Sequence, residues 1–354
     1  MTCSTPLFLS QIQEEKNIMA KAKIIGTGLY VPGASIPNSE IVALTGTTFP
    51  MSALEDKLGI YHRHVAKLRG IQETTTDFAT KATQAAISNA GIDPMALRLF
   101  IVGTDSPEYL SPGSAVVLQG RIQGQQMMAG CFDVNASCAS FTTAFEVAAR
   151  MMASDSSLEY AVVVGAYNMP AFVRPDDSFG NAIFADGAGA VVLQRVDDSD
   201  PSGYIGGQLM ADGTQWDYIG IYAGGSKNPI THERLDKGEY GLQNLKPLPG
   251  DRNIKLWPVL ARQLVEKSGR RIADIDHIIF TQINRSVILE VMNLLELPPE
   301  RTTTVMDRYG YTGSACVPMA LHHAVTEGKI KRGDTVALIA SGSGFFVGAN
   351  LLTF

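Results

Sequence analysis

Cys138 stands where the chain could do covalent chemistry. It lies in the stretch Cys131-Phe-Asp-Val-Asn-Ala-Ser-Cys138-Ala-Ser-Phe141-Thr-Thr-Ala-Phe145. The short, partly apolar run from Cys131 to Val134 predicts a buried strand. The small residues Asn135 to Ser137 predict a sharp turn. Phe141, Phe145, Ala148 and Met152 then share one helix face, so a helix is expected to follow. A cysteine at the start of that helix would meet unpaired backbone amides and the positive end of the helix dipole, and both favour a thiolate. A thiolate on a strand-to-helix turn is an exposed, activated nucleophile. The same position also suits a small buried thiol that fills a gap, the usual state of free cysteine.

The surrounding elements alternate. Strands are expected at Lys23 to Val31, Leu99 to Thr104, Tyr160 to Gly165 and Ala188 to Leu193, with helices at Asn38 to Leu44, Asp77 to Ala90 (stopped by Gly91) and Pro112 to Ile122. A second series repeats the unit. Strands are expected at Gly203 to Met210, His277 to Thr281, Thr302 to Met306, Thr335 to Ala340 and Gly344 to Leu352, with helices at Ile254 to Ser268, Arg285 to Leu295 and Ala315 to Glu327. Residues 213–250 are glycine-rich and weakly patterned, so a loop with short elements is expected. This alternation implies an α/β class with parallel or mixed sheets. The two series divide the chain into halves at 21–198 and 203–354, with a site expected where the halves meet. Residues 1–20 are mostly polar and carry no basic region ahead of their apolar patch, so they read as a disordered leader and not a secretory signal.

Composition limits the function. The 354 residues are 45% hydrophobic and 18% charged, enough to bury a large core. A net charge of -6 with no basic stripe argues against nucleic acid as a partner. No apolar run reaches the length of a membrane span. The four cysteines, at 3, 131, 138 and 316, show no metal spacing, so no metal is expected and a reducing, cytoplasmic setting fits. His232 in the loop, His277 before a strand, and His322 and His323 on a helix all suit solvated or packed positions. The Gly187-Ala-Gly189 run precedes no helix, so it is not a dinucleotide fingerprint.

Several motifs occur in order: Gly59-Ile-Tyr-His-Arg-His64, Asp133-Val-Asn-Ala-Ser-Cys138-Ala-Ser-Phe141, Phe184-Ala-Asp-Gly-Ala-Gly-Ala190, Asp307-Arg-Tyr-Gly-Tyr-Thr-Gly-Ser-Ala315, Gly328-Lys-Ile-Lys-Arg-Gly-Asp334 and Ser341-Gly-Ser-Gly-Phe345. Over residues 22–354 the chain resembles the thiolase superfamily, and within it ketoacyl-acyl-carrier-protein synthase III. The resemblance implies a five-layered αβαβα fold of two pseudo-symmetric halves, usually as a homodimer. It implies loading of an acyl group from coenzyme A or acyl-carrier phosphopantetheine onto Cys138, then transfer to a malonyl-type acceptor, with no tightly bound cofactor. It assigns the oxyanion hole to the backbone amides of Cys138 and Ser343.

The family pattern is altered in this sequence. The resemblance puts Gln282 where the family has a catalytic His and Tyr311 where it has an Asn. Both side chains can donate hydrogen bonds, but neither is a general base near neutral pH. Asp105, in Val102-Gly-Thr-Asp105-Ser, falls where the related hydroxymethylglutaryl-CoA synthase carries an acidic general acid/base; a strand-end Asp capping a turn is the plainer reading. The family's adenine-stacking Trp and its Arg fall on Ala53 and Lys57. Lys57, Arg174, Phe141 and Asn284 are the expected substrate contacts. Two other functions remain open: a thioesterase-like or decarboxylating enzyme, which would release free acid without an acceptor, and a non-catalytic partner subunit of an active synthase.

Overall fold

The computed structural model describes residues 20–124 and 129–354; the expected leader lies outside this range apart from Ala20. The first half contributes β1 (Lys21–Tyr30), β2 (Ile36–Pro37), β3 (His62–Arg63), β4 (Leu97–Gly103), β5 (Gly130–Val134), β6 (Tyr160–Tyr167) and β7 (Gly187–Val196). Five of these form one sheet in the order β1-β7-β6-β4-β5. The second half contributes β8 (Gly203–Ala211), β9 (Ile219–Ile221), β10 (Leu242–Asn244), β11 (His277–Phe280), β12 (Thr335–Gly342) and β13 (Phe346–Thr353). Its sheet runs β11-β12-β13-β8.

The two sheets follow one plan. In the first, β4 pairs in parallel with β6, and β6 with β7 and β7 with β1 are antiparallel. In the second, β11, β12, β13 and β8 repeat those relations. The repeat stops at the fifth strand. Where the first sheet has β5, the sequence predicts a strand at Thr302 to Met306, but only one parallel bridge, Ile278 to Thr302, is present. The cause is local. The Gln282 side chain donates to the Thr303 carbonyl at 3.2 Å and accepts from the Val305 amide at 2.8 Å. It takes up the backbone groups that a neighbouring strand would use.

Helices complete five layers. Thr75–Ala90 and Ser114–Gln123 cover the outer face of the first sheet, and Ser140–Ser154 and Cys316–Thr326 lie between the sheets. Arg252–Lys267 covers the second sheet, with Arg285–Leu294 packed against it. The central helix Ser140–Ser154 buries residues around its whole circumference, among them Phe141, Thr142, Phe145 and Ala149, as a helix enclosed between two sheets must. Thr75–Ala90 begins with a reciprocal Thr74–Asp77 capping box and ends at left-handed Gly91, the stop the sequence predicts. Residues 213–250 carry only β9, β10 and short helical turns.

Candidate active site

The polypeptide leaves β5 at Val134, turns through 135–139 and enters the helix at Ser140. Ser137 takes φ 55°, a left-handed conformation that non-glycine residues rarely adopt. The turn is held by hydroxyls. The Ser137 carbonyl accepts from Ser140 Oγ at 2.5 Å and from Ser314 Oγ at 2.8 Å, and Ser140 Oγ accepts from the Ala136 amide at 2.9 Å. Gly342 at the end of β12 presses on the same turn: a Cβ there would lie 2.4 Å from the Ala136 carbonyl oxygen and 2.8 Å from the Cys138 nitrogen.

Cys138 opens into a cavity of about 540 Å³. Asp105, which follows β4, and Tyr311 and Ser343, from the second half, border the same space. Met169, Phe179, Phe184, Ile219, Leu242 and Phe346 supply much of its apolar wall. Residues 213–250 thus form one side of the cavity, and Trp216 at its rim is 58% exposed.

Near the sulfur the groups are polar and in contact. Ser137 Oγ lies 3.6 Å from Cys138 Sγ, 2.7 Å from Ser343 Oγ, and donates to Asp105 Oδ2 at 2.9 Å. Tyr311 lines the cavity with Cys138, and its side chain opposes the rise of the thiol. Its backbone is fixed from both sides, with its amide on the Ile183 carbonyl at 2.9 Å and its carbonyl on the Ala185 amide at 3.0 Å. Its ring packs against Tyr167 and Phe184, with centroids 6.2 and 5.9 Å away.

Burial dominates the electrostatics. Asp105 Oδ1 is buried without a hydrogen-bond partner. Desolvation lifts the Asp105 carboxyl from 3.8 to about 6, against the opposing hydrogen bond from Ser137. Desolvation also pushes the Cys138 thiol well above its ordinary value. The Asp105 charge adds to that rise, while the Tyr311 and Ser137 hydrogen bonds oppose it. The expectation of a thiolate stabilised by the helix end is therefore corrected. The helix starts at Ser140, two residues beyond the sulfur, and the half-buried thiol is pushed up by desolvation and by the Asp105 charge.

Five further assignments differ from the sequence reading. Gln282 is fully buried, its amide donating to the Phe280 and Thr303 carbonyls and accepting from Val305, and it does not face the cavity. Its neighbour Thr281 does. Phe141 is core, packed on Phe145 with ring centroids 6.3 Å apart. Asn284 caps the helix Arg285–Leu294 by accepting from the Val287 amide at 3.2 Å. Lys57 and Arg174 lie away from the cavity lining: the Lys57 carbonyl accepts from Ser286 Oγ at 2.8 Å, and Arg174 pairs with Asp176 at 3.1 Å. The cation that does line the cavity is Arg252, which donates to Gln215 Oε1 at 2.6 Å and stacks 4.0 Å from the Phe345 ring centroid. Sequence reasoning missed Ser137, Thr281 and Arg252. The available signal for Ser137 was a hydroxyl directly before the nucleophile.

The histidines lie in packed or peripheral places. His277 hydrogen-bonds Thr303 at 2.9 Å and burial drives it down to about 4, while His322 meets Thr27 at 2.9 Å. No group of three or more metal-ligating side chains occurs among the described residues.

The family model "3-Oxoacyl-[acyl-carrier-protein (ACP)] synthase III" matches residues 132–213, and the corresponding C-terminal model matches residues 265–354. A beta-ketoacyl-[acyl-carrier-protein] synthase III of Coxiella burnetii is 33% identical over 335 residues, 94% of this chain and 99% of the relative. The chain belongs to the synthase III family. A relative of the same name from Rhizorhabdus wittichii is 32% identical over 336 residues, covering 95% of this chain and all of the relative. The crystal structure of 3-oxoacyl-[acyl-carrier-protein] synthase III from Aquifex aeolicus aligns with a TM-score of 0.80 at 28% identity, over 94% of this chain and 100% of that one. The five layers described above are this family's thiolase-like αβαβα fold.

Proposed function

We propose that the protein is an acyltransferase of the 3-oxoacyl-acyl-carrier-protein synthase III type. An acyl thioester of coenzyme A or acyl-carrier phosphopantetheine acylates Cys138, and the acyl group then passes to a malonyl-type or other carbon acceptor. The observation that carries the reading is Cys138 on a hydroxyl-clamped turn at the base of a 540 Å³ cavity with apolar walls. The amides of Cys138 and Ser343 would bind the oxyanion of the tetrahedral intermediate. Ser343 lies in the turn beyond the Gly342–Phe346 pair, outside the β12–β13 ladder.

Asp105 is the acid–base group of this site. It borders the cavity and titrates near 6, within reach of neutral pH, which suits proton transfer. Tyr311 is held well above its ordinary value by burial, so it stays protonated and serves as a hydrogen-bond donor. Arg252 at the cavity is the cation we assign to the phosphate-bearing end of the donor.

Two further readings go with this one. The halves 21–198 and 203–354 each supply part of the site, Cys138 and Asp105 from one, Tyr311 and Ser343 from the other. We also propose a cytoplasmic homodimer, joined along β5. That strand pairs only with β4 and carries Phe132 at 36% exposure, so it offers an unpaired edge.

The test supplies a panel of acyl-coenzyme A donors with a malonyl thioester and analyses products by mass spectrometry. A 3-oxoacyl product is expected. Free acid released at the same rate without any acceptor would replace this reading by the thioesterase one.

A further inference from the structure

We infer that Ser137 is a proton relay and positioning residue, whose hydroxyl carries the Cys138 proton to Asp105 as the thiol becomes a nucleophile. This rests on the acyltransferase reading of the same site.

The first observation is the backbone. Ser137 holds φ 55°, a region in which glycine is the easy choice and a side chain is strained. Three donors, Ser140 Oγ, Ser314 Oγ and the Ser140 amide, all reach the Ser137 carbonyl and keep the peptide in place. A serine standing where glycine would relax the turn points to work done by its hydroxyl.

The second observation is the direction of the hydrogen bonds. A hydroxyl has one proton to donate and two lone pairs that accept. An ionised carboxylate only accepts, so the Ser137 proton goes to Asp105 Oδ2 at 2.9 Å. The two lone pairs are then left for the two groups that remain in contact, the Ser343 hydroxyl at 2.7 Å and the Cys138 thiol at 3.6 Å. The polarity of the chain therefore runs from S–H through Ser137 O–H to the carboxylate.

The transfer balances. As Cys138 Sγ attacks the thioester carbonyl carbon, its proton moves to Ser137 Oγ and the Ser137 proton moves to Asp105. Ser137 ends neutral, Asp105 ends protonated, and the negative charge resides on the tetrahedral oxyanion. Collapse of that intermediate breaks the bond to the leaving thiolate, and the Asp105 proton neutralises it. No oxidant, metal or further reactant is needed.

The other titratable groups around the pair are Tyr167, Tyr311 and Cys316. All three are pushed up by burial and stay neutral near pH 7, which leaves Asp105 as the proton acceptor. Desolvation raises the thiol as well, and an adjacent base offsets that rise when the thiol attacks.

The relay can be tested without any acyl donor. Alkylation of Cys138 by iodoacetamide is followed against pH by peptide mass spectrometry, in the wild type and in Ser137→Gly, Ser137→Ala and Asp105→Asn. Ser137→Gly is the informative variant, because glycine accepts the backbone conformation and only the hydroxyl is lost. The expected result is a wild-type rate that rises through about pH 6 as Asp105 ionises. Each variant should lose about 10²-fold at neutral pH together with that inflection, the lower end of what acid–base assistance supplies. Ser137→Gly combined with Asp105→Asn should lose no more than either alone, because both interrupt one path. Wild-type rates and an unchanged pH profile in a folded Ser137→Gly would overturn the inference, as would losses that multiply in the double variant. An intact relay in a protein that no acyl donor acylates would count against the acyltransferase reading and leave the relay standing.

Discussion

Replacing Gln282 by Ala separates a structural role from a chemical one. The Gln282 amide makes three buried hydrogen bonds, to the Phe280 carbonyl at 2.8 Å, the Thr303 carbonyl at 3.2 Å and the Val305 amide at 2.8 Å. The last two replace the pairing of a fifth strand that the second sheet lacks. Truncation therefore leaves a buried carbonyl and a buried amide without partners, at about 1–3 kcal/mol each. Because the relaxed backbone can recover part of that, a loss of about 3 kcal/mol is expected, measured as a fall in the chemical denaturation midpoint. The folded fraction should still acylate Cys138 at a rate close to wild type. Full stability combined with lost transfer would refute this reasoning and return Gln282 to the reacting groups. Gln282→Glu carries a sign as well. Its carboxylate would face two carbonyl oxygens, so its pKa in the fold is raised. The stability of that variant should be highest at low pH and fall as pH rises.

Asp105→Asn should abolish the rise of acylation rate through about pH 6. It should also stabilise the fold at alkaline pH. The native carboxyl titrates at about 6 against an ordinary 3.8, so its ionisation penalty is absent below about 4 and complete above about 6, and thermal melts at pH 4 and pH 8 should show this difference. Tyr311→Phe keeps the ring against Tyr167 and Phe184, so its melting temperature should change little, while transfer should slow through loss of a hydroxyl from the cavity wall shared with Cys138. Gly342→Ala places a methyl 2.4 Å from the Ala136 carbonyl oxygen and should displace the turn. Donor titrations should then show Cys138 unable to accept an acyl group even in folded protein.

Much of the scaffold was legible because it rests on local pattern. The strand, small-residue turn and helix around Cys138 follow from the sequence pattern, although β5 is an exposed to half-buried edge strand and not the buried one expected, and Gly91 marks a helix stop through its backbone freedom. Reading the strand end at the second half was harder. Side chains alternate along a strand, so one residue of register decides which of Thr281 and Gln282 meets the cavity, and the sequence does not fix that register. The strand expected at Thr302 to Met306 failed for a non-local reason, since the side chain of Gln282, 21 and 23 residues before Thr303 and Val305, occupies their backbone groups. Activation of Cys138 by the helix end was misjudged because burial and the nearby Asp105 are tertiary facts. Lys57, Arg174, Phe141 and Asn284 have suitable chemistry, but chain packing places them in a short helix, an ion pair, the core and a helix cap.

Intact-protein mass spectrometry after incubation with a panel of acyl-coenzyme A and acyl-carrier thioesters tests the central claim most directly, with Cys138→Ala run beside the wild type. A mass increase equal to the acyl group, present in the wild type and absent from Cys138→Ala, is the predicted result. Well-folded protein that takes up no acyl group from any donor, or an adduct that persists in Cys138→Ala, would contradict the account.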